Sequence, residues 1–143
     1  MTTADLAQMF ERHHRGLDEF VRGDVEPLRR LFSRRDDVSF ASPFGPPVRG
    51  WPQVSVTLAR SAANYEAGAA TGFERVSEFV DGDLACIVEV ERFRAKVAGA
   101  AEVAPFSLRT TTVFRREEDG WRIVHRHADP IVSPRPFDSV LGS

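Results

Sequence analysis

The apolar residues of this sequence change their spacing part-way along the chain, and that change limits the folds available to it. Over most of residues 4–67 they recur every three to four positions, the period of an amphipathic helix. Over residues 71–129 they alternate with polar residues, the period of a half-buried strand. Helices come first and strands follow, so the pattern predicts an α+β fold in which a curved antiparallel sheet wraps around N-terminal helices.

The first half is predicted to contain three helices. The first covers residues 4–21, with Gly23 as its stop signal, and His13 falls on its apolar stripe. A shorter helix is expected to end near Ser33, and a third is expected over residues 51–67.

The third helix carries large side chains on the face that should contact the sheet. Trp51, Leu58 and Tyr65 lie on this face, and the glycine-rich segment after residue 67 is expected to end the helix. A short strand over residues 37–42, which contains Phe40, precedes a stiff proline-rich loop.

Four further strands are predicted, at residues 71–80, 83–96, 106–116 and 121–129. Asp-Gly pairs at two of the junctions are typical of tight turns, which imply antiparallel neighbours. Pro134 and Pro136 follow the last strand and disfavour regular structure. The expected organisation is therefore one domain over residues 1–132 and a proline-containing tail over residues 133–143.

Composition narrows the class of protein. Nineteen basic and 21 acidic residues give a net charge of −2, which argues against binding to nucleic acid or to an anionic membrane. A single cysteine, Cys86, cannot form an intrachain disulfide. The sequence has no apolar run long enough for a membrane span, and its N-terminal segment lacks the basic and apolar regions of a signal peptide. The chain is therefore expected to be cytoplasmic.

The last strand carries the clearest candidates for chemistry. At period two, Trp121, Ile123, His125, His127 and Asp129 share one face. If that face lines a cavity, His127 and Asp129 form a possible acid and base pair. The alternative is that both are surface or subunit-contact residues. Two histidines at this spacing also suit a metal ion, with Asp129 or His13 as a third ligand, but no metal is expected.

The strand over residues 83–96 places two carboxylates on one face. A solvated position is favoured for Glu89, whereas Glu91 is left open between a surface residue and a buried general base. On the next strand, Thr110 and Thr112 lie on the face of Phe and Leu residues that should point inward. A buried Tyr65 hydroxyl needs a hydrogen-bond partner, which in core packing is more commonly the backbone, and a bound ligand is the alternative.

Several segments resemble the SnoaL-like branch of the nuclear transport factor 2-like, or ketosteroid isomerase-like, superfamily. They include VSFASPFGPPVRGWPQV, with Gly50 and Trp51, and the closing segment DGWRIVHRHADP. The closing strand is also similar to that of the association domain of calcium/calmodulin-dependent protein kinase II, which forms oligomers and is not an enzyme.

The resemblance implies a cone-shaped, cystatin-like α+β fold with a pocket between sheet and helices, and dimers formed by the outer sheet face. It implies acid and base roles for His127 and Asp129, which match the H-x-D of the cyclase-like members. Alignment of the last strand to the kinase association domain implies the opposite facing, with residue 128 inward, and a β-bulge would reverse the face in this way. Tyr65 and Glu91 complete the set of catalytic candidates. The residues expected to line the pocket are His13, Phe40, Trp51, Leu58, Thr110 and Thr112.

The resulting hypothesis is a homodimer, without cofactor, that binds a small and largely apolar organic molecule. In this hypothesis the bound molecule can undergo proton-transfer chemistry of the isomerase, cyclase or dehydratase type. A non-catalytic association or ligand-sensing module of the same fold is the alternative.

Overall fold

The computed structural model describes residues 2–142 and contains three helices, six strands and one 3₁₀ turn. The helices are α1 (Ala4–Phe20), α2 (Glu26–Arg29) and α3 (Trp51–Ala62). The strands are β1 (Ser39–Ala41), β2 (Val48–Arg49), β3 (Tyr65–Asp81), β4 (Leu84–Val97), β5 (Ala104–Glu117) and β6 (Gly120–Asp129). The predicted α+β plan, with N-terminal helices and a curved sheet, is confirmed.

All six strands form one sheet in the order β2-β1-β6-β5-β4-β3. The four long strands form an antiparallel meander, as the turn signals predicted, with Gly82 and Gly120 at positive φ in the two tight turns. The short strand β1 pairs parallel to β6 and antiparallel to β2. The meander therefore continues past β6 into two strands contributed by the N-terminal half.

The helices cover the inner face of the sheet. Met9 and Leu17 of α1 and Leu58 of α3 are almost fully buried, as are Phe93 and Phe114 on the strands opposite. Burial of large apolar side chains such as these is the main favourable contribution to folding, at about 2 kcal/mol each. The core therefore lies between the sheet and the helices.

Two helix ends differ from the sequence prediction. The second helix has a single turn and ends at Arg29, and the third ends at Ala62 instead of residue 67. Tyr65 consequently opens β3 rather than extending α3. The glycine-rich segment 68–72 stays within that strand, because register shifts beside it absorb its irregular backbone.

Gly68 shows why the start of β3 needs a residue without a side chain. A Cβ at this position would lie 2.0 Å from the carbonyl oxygen of Val21, at the end of α1. The glycine therefore permits a close approach of strand and helix backbones.

Beyond β6 the chain has few contacts with the domain. Its described part includes a single 3₁₀ turn, Phe137–Val140, and the Phe137 side chain is 99% exposed. None of the helices in residues 2–142 has the length and hydropathy needed to cross a membrane.

Candidate functional site

Two carboxylates lie inside the domain, on the inner face of β4. Glu89 and Glu91 point toward the helices and are 1% and 0% exposed. The solvated position favoured for Glu89 is therefore wrong, because the inner face of β4 also contains Ile87 and Phe93 of the core. Charged groups in such a position require partners, since an isolated buried charge is strongly unfavourable.

Arg126 on β6 is the partner of Glu91. Its two terminal nitrogens donate to the two carboxylate oxygens, each at 2.8 Å, and the side chains are only 5% and 0% exposed. Burial alone lowers the pKa of Arg126, but the charge and hydrogen bonds of Glu91 outweigh burial and raise it. The pair is a bidentate ion pair in the interior of the cone.

A register shift in the last hairpin explains why Arg126 faces inward. β5 and β6 lose strict alternation between Val113 and Phe114, and both Ile123 and Val124 on β6 are buried in succession. An extra residue in one strand moves every later side chain to the opposite face. Arg126 and Ala128 are therefore buried, on the inner face of the sheet.

The same shift overturns the expectation that Trp121, Ile123, His125, His127 and Asp129 share one face. Trp121 and Ile123 are buried, whereas the three residues after the shift lie on the outer face. His127 is 44% exposed, and its Nε2 lies 3.1 Å from Asp129. The pair predicted for acid and base chemistry exists, but it lies outside the cone.

The outer-face residues have partners of their own. Asp129 accepts hydrogen bonds from Arg109, the shortest at 2.8 Å, and these bonds hold its pKa below the ordinary value although burial alone would raise it. The Nδ1 of His125 is 2.7 Å from the Ser39 hydroxyl. His13 lies in the interior, so the metal set of His125 and His127 with His13 is not assembled.

Glu89 is held by two side chains from other elements. Nε2 of His14 lies 2.8 Å from one carboxylate oxygen, and Nε of Arg75 donates to the other at 2.9 Å. The His14 ring also stacks on Phe73, with ring centroids 3.7 Å apart. Burial raises the pKa of Glu89, but His14 and Arg75 outweigh it, so the net pKa is lowered.

His13 is buried with no partner for either ring nitrogen among residues 2–142. Burial, aided by the charge of Arg126, holds its pKa well below the ordinary value of 6.5, so the ring is neutral. With His14 and Glu89 it forms a group whose ligand atoms lie within 4.8 Å of one another, the one place in the described chain where a metal ion could be held. An ion there would compete with Arg75 for Glu89.

A cavity of about 360 Å³ opens at the end of the sheet where β3 and β5 begin and β4 ends. We call it the end cavity, and its lining residues are Pro43, Phe44, Tyr65, Val97, Ala104, Pro105, Phe106, Leu108 and Pro130. Leu108 pairs directly with Glu91 on the neighbouring strand. The buried ion pair of Glu91 and Arg126 is therefore adjacent to Leu108, a residue of the cavity wall.

Tyr65 is the polar side chain in this apolar lining. Its ring stacks on Phe106, with centroids 5.5 Å apart, and its hydroxyl has no hydrogen-bond partner among residues 2–142. Burial raises its pKa to about 12, with the charge of Glu91 adding to burial and that of Arg126 opposing it. Tyr65 is therefore a neutral hydrogen-bond donor at ordinary pH.

The residues expected to line the pocket lie in different places. Phe40 and Leu58 are core residues, and Thr110 and Thr112 are buried on the inner face of β5, as predicted. Trp51 lies at the start of α3, and the guanidinium of Arg34 lies over its ring, 3.9 Å from the ring centroid. Of the candidates singled out from the sequence, only Tyr65 lines the end cavity.

Comparisons with known proteins agree with this architecture. The sequence-family model of the SnoaL-like domain matches residues 14–133 of this chain. The chain belongs to the SnoaL-like domain family. No curated protein matches the sequence significantly.

Several solved structures resemble this SnoaL-like protein across most of their length. A putative dehydratase of the nuclear transport factor 2-like family from Streptomyces avermitilis is 25% identical, with 90% of this chain and 95% of that chain covered and a TM-score of 0.70. A ketosteroid isomerase-like protein from Erwinia carotovora atroseptica is 16% identical, with 92% and 99% covered and a TM-score of 0.72.

A putative calcium/calmodulin-dependent protein kinase type II association domain from Thiobacillus denitrificans has the same fold. It is 23% identical, with 87% of this chain and 94% of that chain covered and a TM-score of 0.69. Proteins with enzyme-like and with association-domain names therefore share this architecture, and the fold alone does not choose between them.

Proposed function

We propose that this SnoaL-like protein binds a small, largely apolar organic molecule with one hydrogen-bond acceptor in the end cavity. The observation that carries the proposal is the unpartnered Tyr65 hydroxyl in an otherwise apolar lining. The cavity volume of about 360 Å³ falls in the size range of small-ligand sites. Phe44 and Phe106 supply flat apolar walls, and Tyr65 donates to an acceptor such as a carbonyl oxygen.

The ketone 2-tetralone is a suitable probe, and tetralin, its analogue without the carbonyl, is the matched control ligand. The expected result is that Tyr65→Phe weakens 2-tetralone binding about threefold to tenfold, the value of one neutral hydrogen bond, and leaves tetralin binding unchanged. Isothermal titration calorimetry measures both affinities. Equal effects on the two ligands would contradict a donor role for Tyr65.

A second variant tests the location of binding. Leu108→Trp fills the end cavity, so both ligands should lose measurable affinity, whereas Val56→Trp on the exposed face of α3 should have no effect. Undiminished binding to the Leu108 variant would place the ligand elsewhere.

Proton transfer next to a carbonyl is a second candidate function. It is favoured by the neutral Tyr65 phenol, which lies within electrostatic range of the Glu91 carboxylate. In such a reaction Tyr65 donates a hydrogen bond to the developing oxyanion, and a base from the solvent accepts the proton from the carbon beside the carbonyl. Glu91 does not contact the ligand, because it does not line the end cavity and both of its carboxylate oxygens are bound to Arg126. The pair His127 and Asp129 has no part in it, because these side chains lie on the outer face.

Exchange of the α-protons of 2-tetralone in D₂O tests this chemistry. The native protein should accelerate the exchange, which is followed by proton NMR, and Tyr65→Phe should slow it. Exchange no faster than in buffer would leave binding as the function.

We also propose that two copies associate through the outer face of the sheet. Phe79 on β3 is 61% exposed, and its cross-strand neighbour is Cys86 on β4, beside Val113 on β5. A contiguous apolar stripe on an exposed sheet face is typical of a subunit contact. Sedimentation analysis should show that the native protein is a dimer. Val113→Asp should convert the dimer to a monomer, whereas Val56→Asp, on α3, should leave it intact. A monomeric native protein would contradict the proposed association.

A further inference from the structure

A second concave site lies on the helical side of the molecule, away from the end cavity. It is a groove of about 560 Å³ between α1, the segment after α2 and the turn that joins β5 to β6. Pro27 and Leu31, which are partly exposed, contribute apolar surface to it, and the buried side chains of Met9 and Trp121 lie beneath. We call it the arginine groove, because Arg12, Arg15, Arg30 and Arg122 also line it. It shares no lining residue with the end cavity.

The carboxylates of the arginine groove are already engaged by cations. Asp18 and Glu19 both bind Arg22, at 3.0 and 3.1 Å. Asp119 pairs with Arg122. These groups leave no free negative charge to neutralise the remaining arginines.

Three guanidinium groups in the groove are free. Arg12, Arg15 and Arg30 are exposed and have no side-chain hydrogen bond or ion pair within residues 2–142. The indole N–H of Trp121 is buried and also lacks an acceptor in this part of the chain. The groove thus combines three unpaired cations with an apolar surface, above a buried and unsatisfied N–H donor.

We propose that the arginine groove binds a small organic anion with a flat apolar body and a carboxylate, sulfate or phosphate head group. Guanidinium groups bind such heads through paired, charge-assisted hydrogen bonds. The apolar body lies against Pro27 and Leu31, above the buried Trp121 ring, and the groove volume suits a ligand of drug-like size. The site is independent of the function proposed for the end cavity.

The test uses 2-naphthyl phosphate as the probe and neutral 2-naphthol as its uncharged analogue. The double variant Arg12→Gln/Arg15→Gln removes two charges from exposed positions on α1, where neither side chain supports the fold. The matched control, Arg49→Gln/Arg94→Gln, removes two charges from exposed residues outside the groove. Calorimetry measures the affinities, and the indole signal of Trp121 in a ¹⁵N-¹H spectrum reports where the probe binds.

The expected result is that the groove variant binds 2-naphthyl phosphate at least about tenfold more weakly than the native chain, whereas the control variant is unchanged. The probe should also shift the Trp121 indole signal and bind more tightly than 2-naphthol. Equal losses in the two variants, equal affinity for the two probes, or an unmoved Trp121 signal would each overturn the proposal. Inorganic phosphate that competes as strongly as the naphthyl ester would overturn the role of the apolar surface.

Discussion

The ion pair between Glu91 and Arg126 offers a strong test of how the interior of the cone is built. Arg126→Met keeps most of the side-chain volume but leaves the Glu91 carboxylate, which is 0% exposed, without a cation. Removal of one partner from a buried pair costs about 3–5 kcal/mol, because the other charge remains desolvated. Glu91→Leu should be destabilising for the same reason, with Arg126 as the orphan.

The double variant Glu91→Leu/Arg126→Met removes both charges and should be much more stable than the sum of the single effects predicts. A favourable coupling energy of at least roughly 2 kcal/mol is expected for two hydrogen bonds of 2.8 Å in a dry site. Urea denaturation at one fixed protein concentration measures the free energy of unfolding of all four proteins. Each single variant should also lower Tm by roughly 10 °C.

Single effects below about 1 kcal/mol, or strictly additive effects, would refute this reasoning. Either result would mean that water reaches Glu91 and Arg126. The inward direction of the second half of β6 would then be wrong as well.

Three further predictions concern single groups. Gly68→Ala should destabilise the fold by about 1–3 kcal/mol in urea denaturation, because its Cβ would meet the carbonyl of Val21. Gly72→Ala is the neutral control, because the space around Gly72 is open. An equal loss of stability in both variants would contradict the close approach of Gly68 to Val21. Tyr65, the only tyrosine, should titrate near pH 12 in its ultraviolet absorbance, and a midpoint near 10 in the folded protein would show an exposed hydroxyl. Because burial lowers the pKa of His13, the unfolded chain binds its proton first as pH falls below 6.5. Native stability should therefore drop more steeply between pH 7 and 5 than that of His13→Leu, and parallel pH profiles would contradict a neutral buried ring.

Periodicity alone predicted most of the fold. The spacing of apolar residues located α1 and the four long strands, and it correctly turned the Phe and Leu face of β5 inward. Those elements follow local rules, because each buries one face against the same core. The strand β2 was not predicted, since two residues in a proline-rich loop carry no periodic signal.

The candidate site was harder to predict, because it depends on irregularities that the sequence pattern does not show. One register shift reversed the direction of His127 and Asp129 and brought Arg126 inward. The missing signal was electrostatic: a carboxylate such as Glu91 on an otherwise apolar strand face needs a cation, and Arg126 supplies it only after a bulge. Tyr65 was placed on a helix but opens β3, and the backbone partner favoured for its hydroxyl does not occur among residues 2–142.

The position of a bound ligand tests the central claim most directly. In an NMR experiment with 2-tetralone and methyl-labelled protein, nuclear Overhauser contacts from the ligand should reach the methyl groups of Leu108 and Val97 and the ring protons of Tyr65. Contacts confined to other surfaces, or none at a saturating ligand concentration, would contradict the assignment of the end cavity as the binding site.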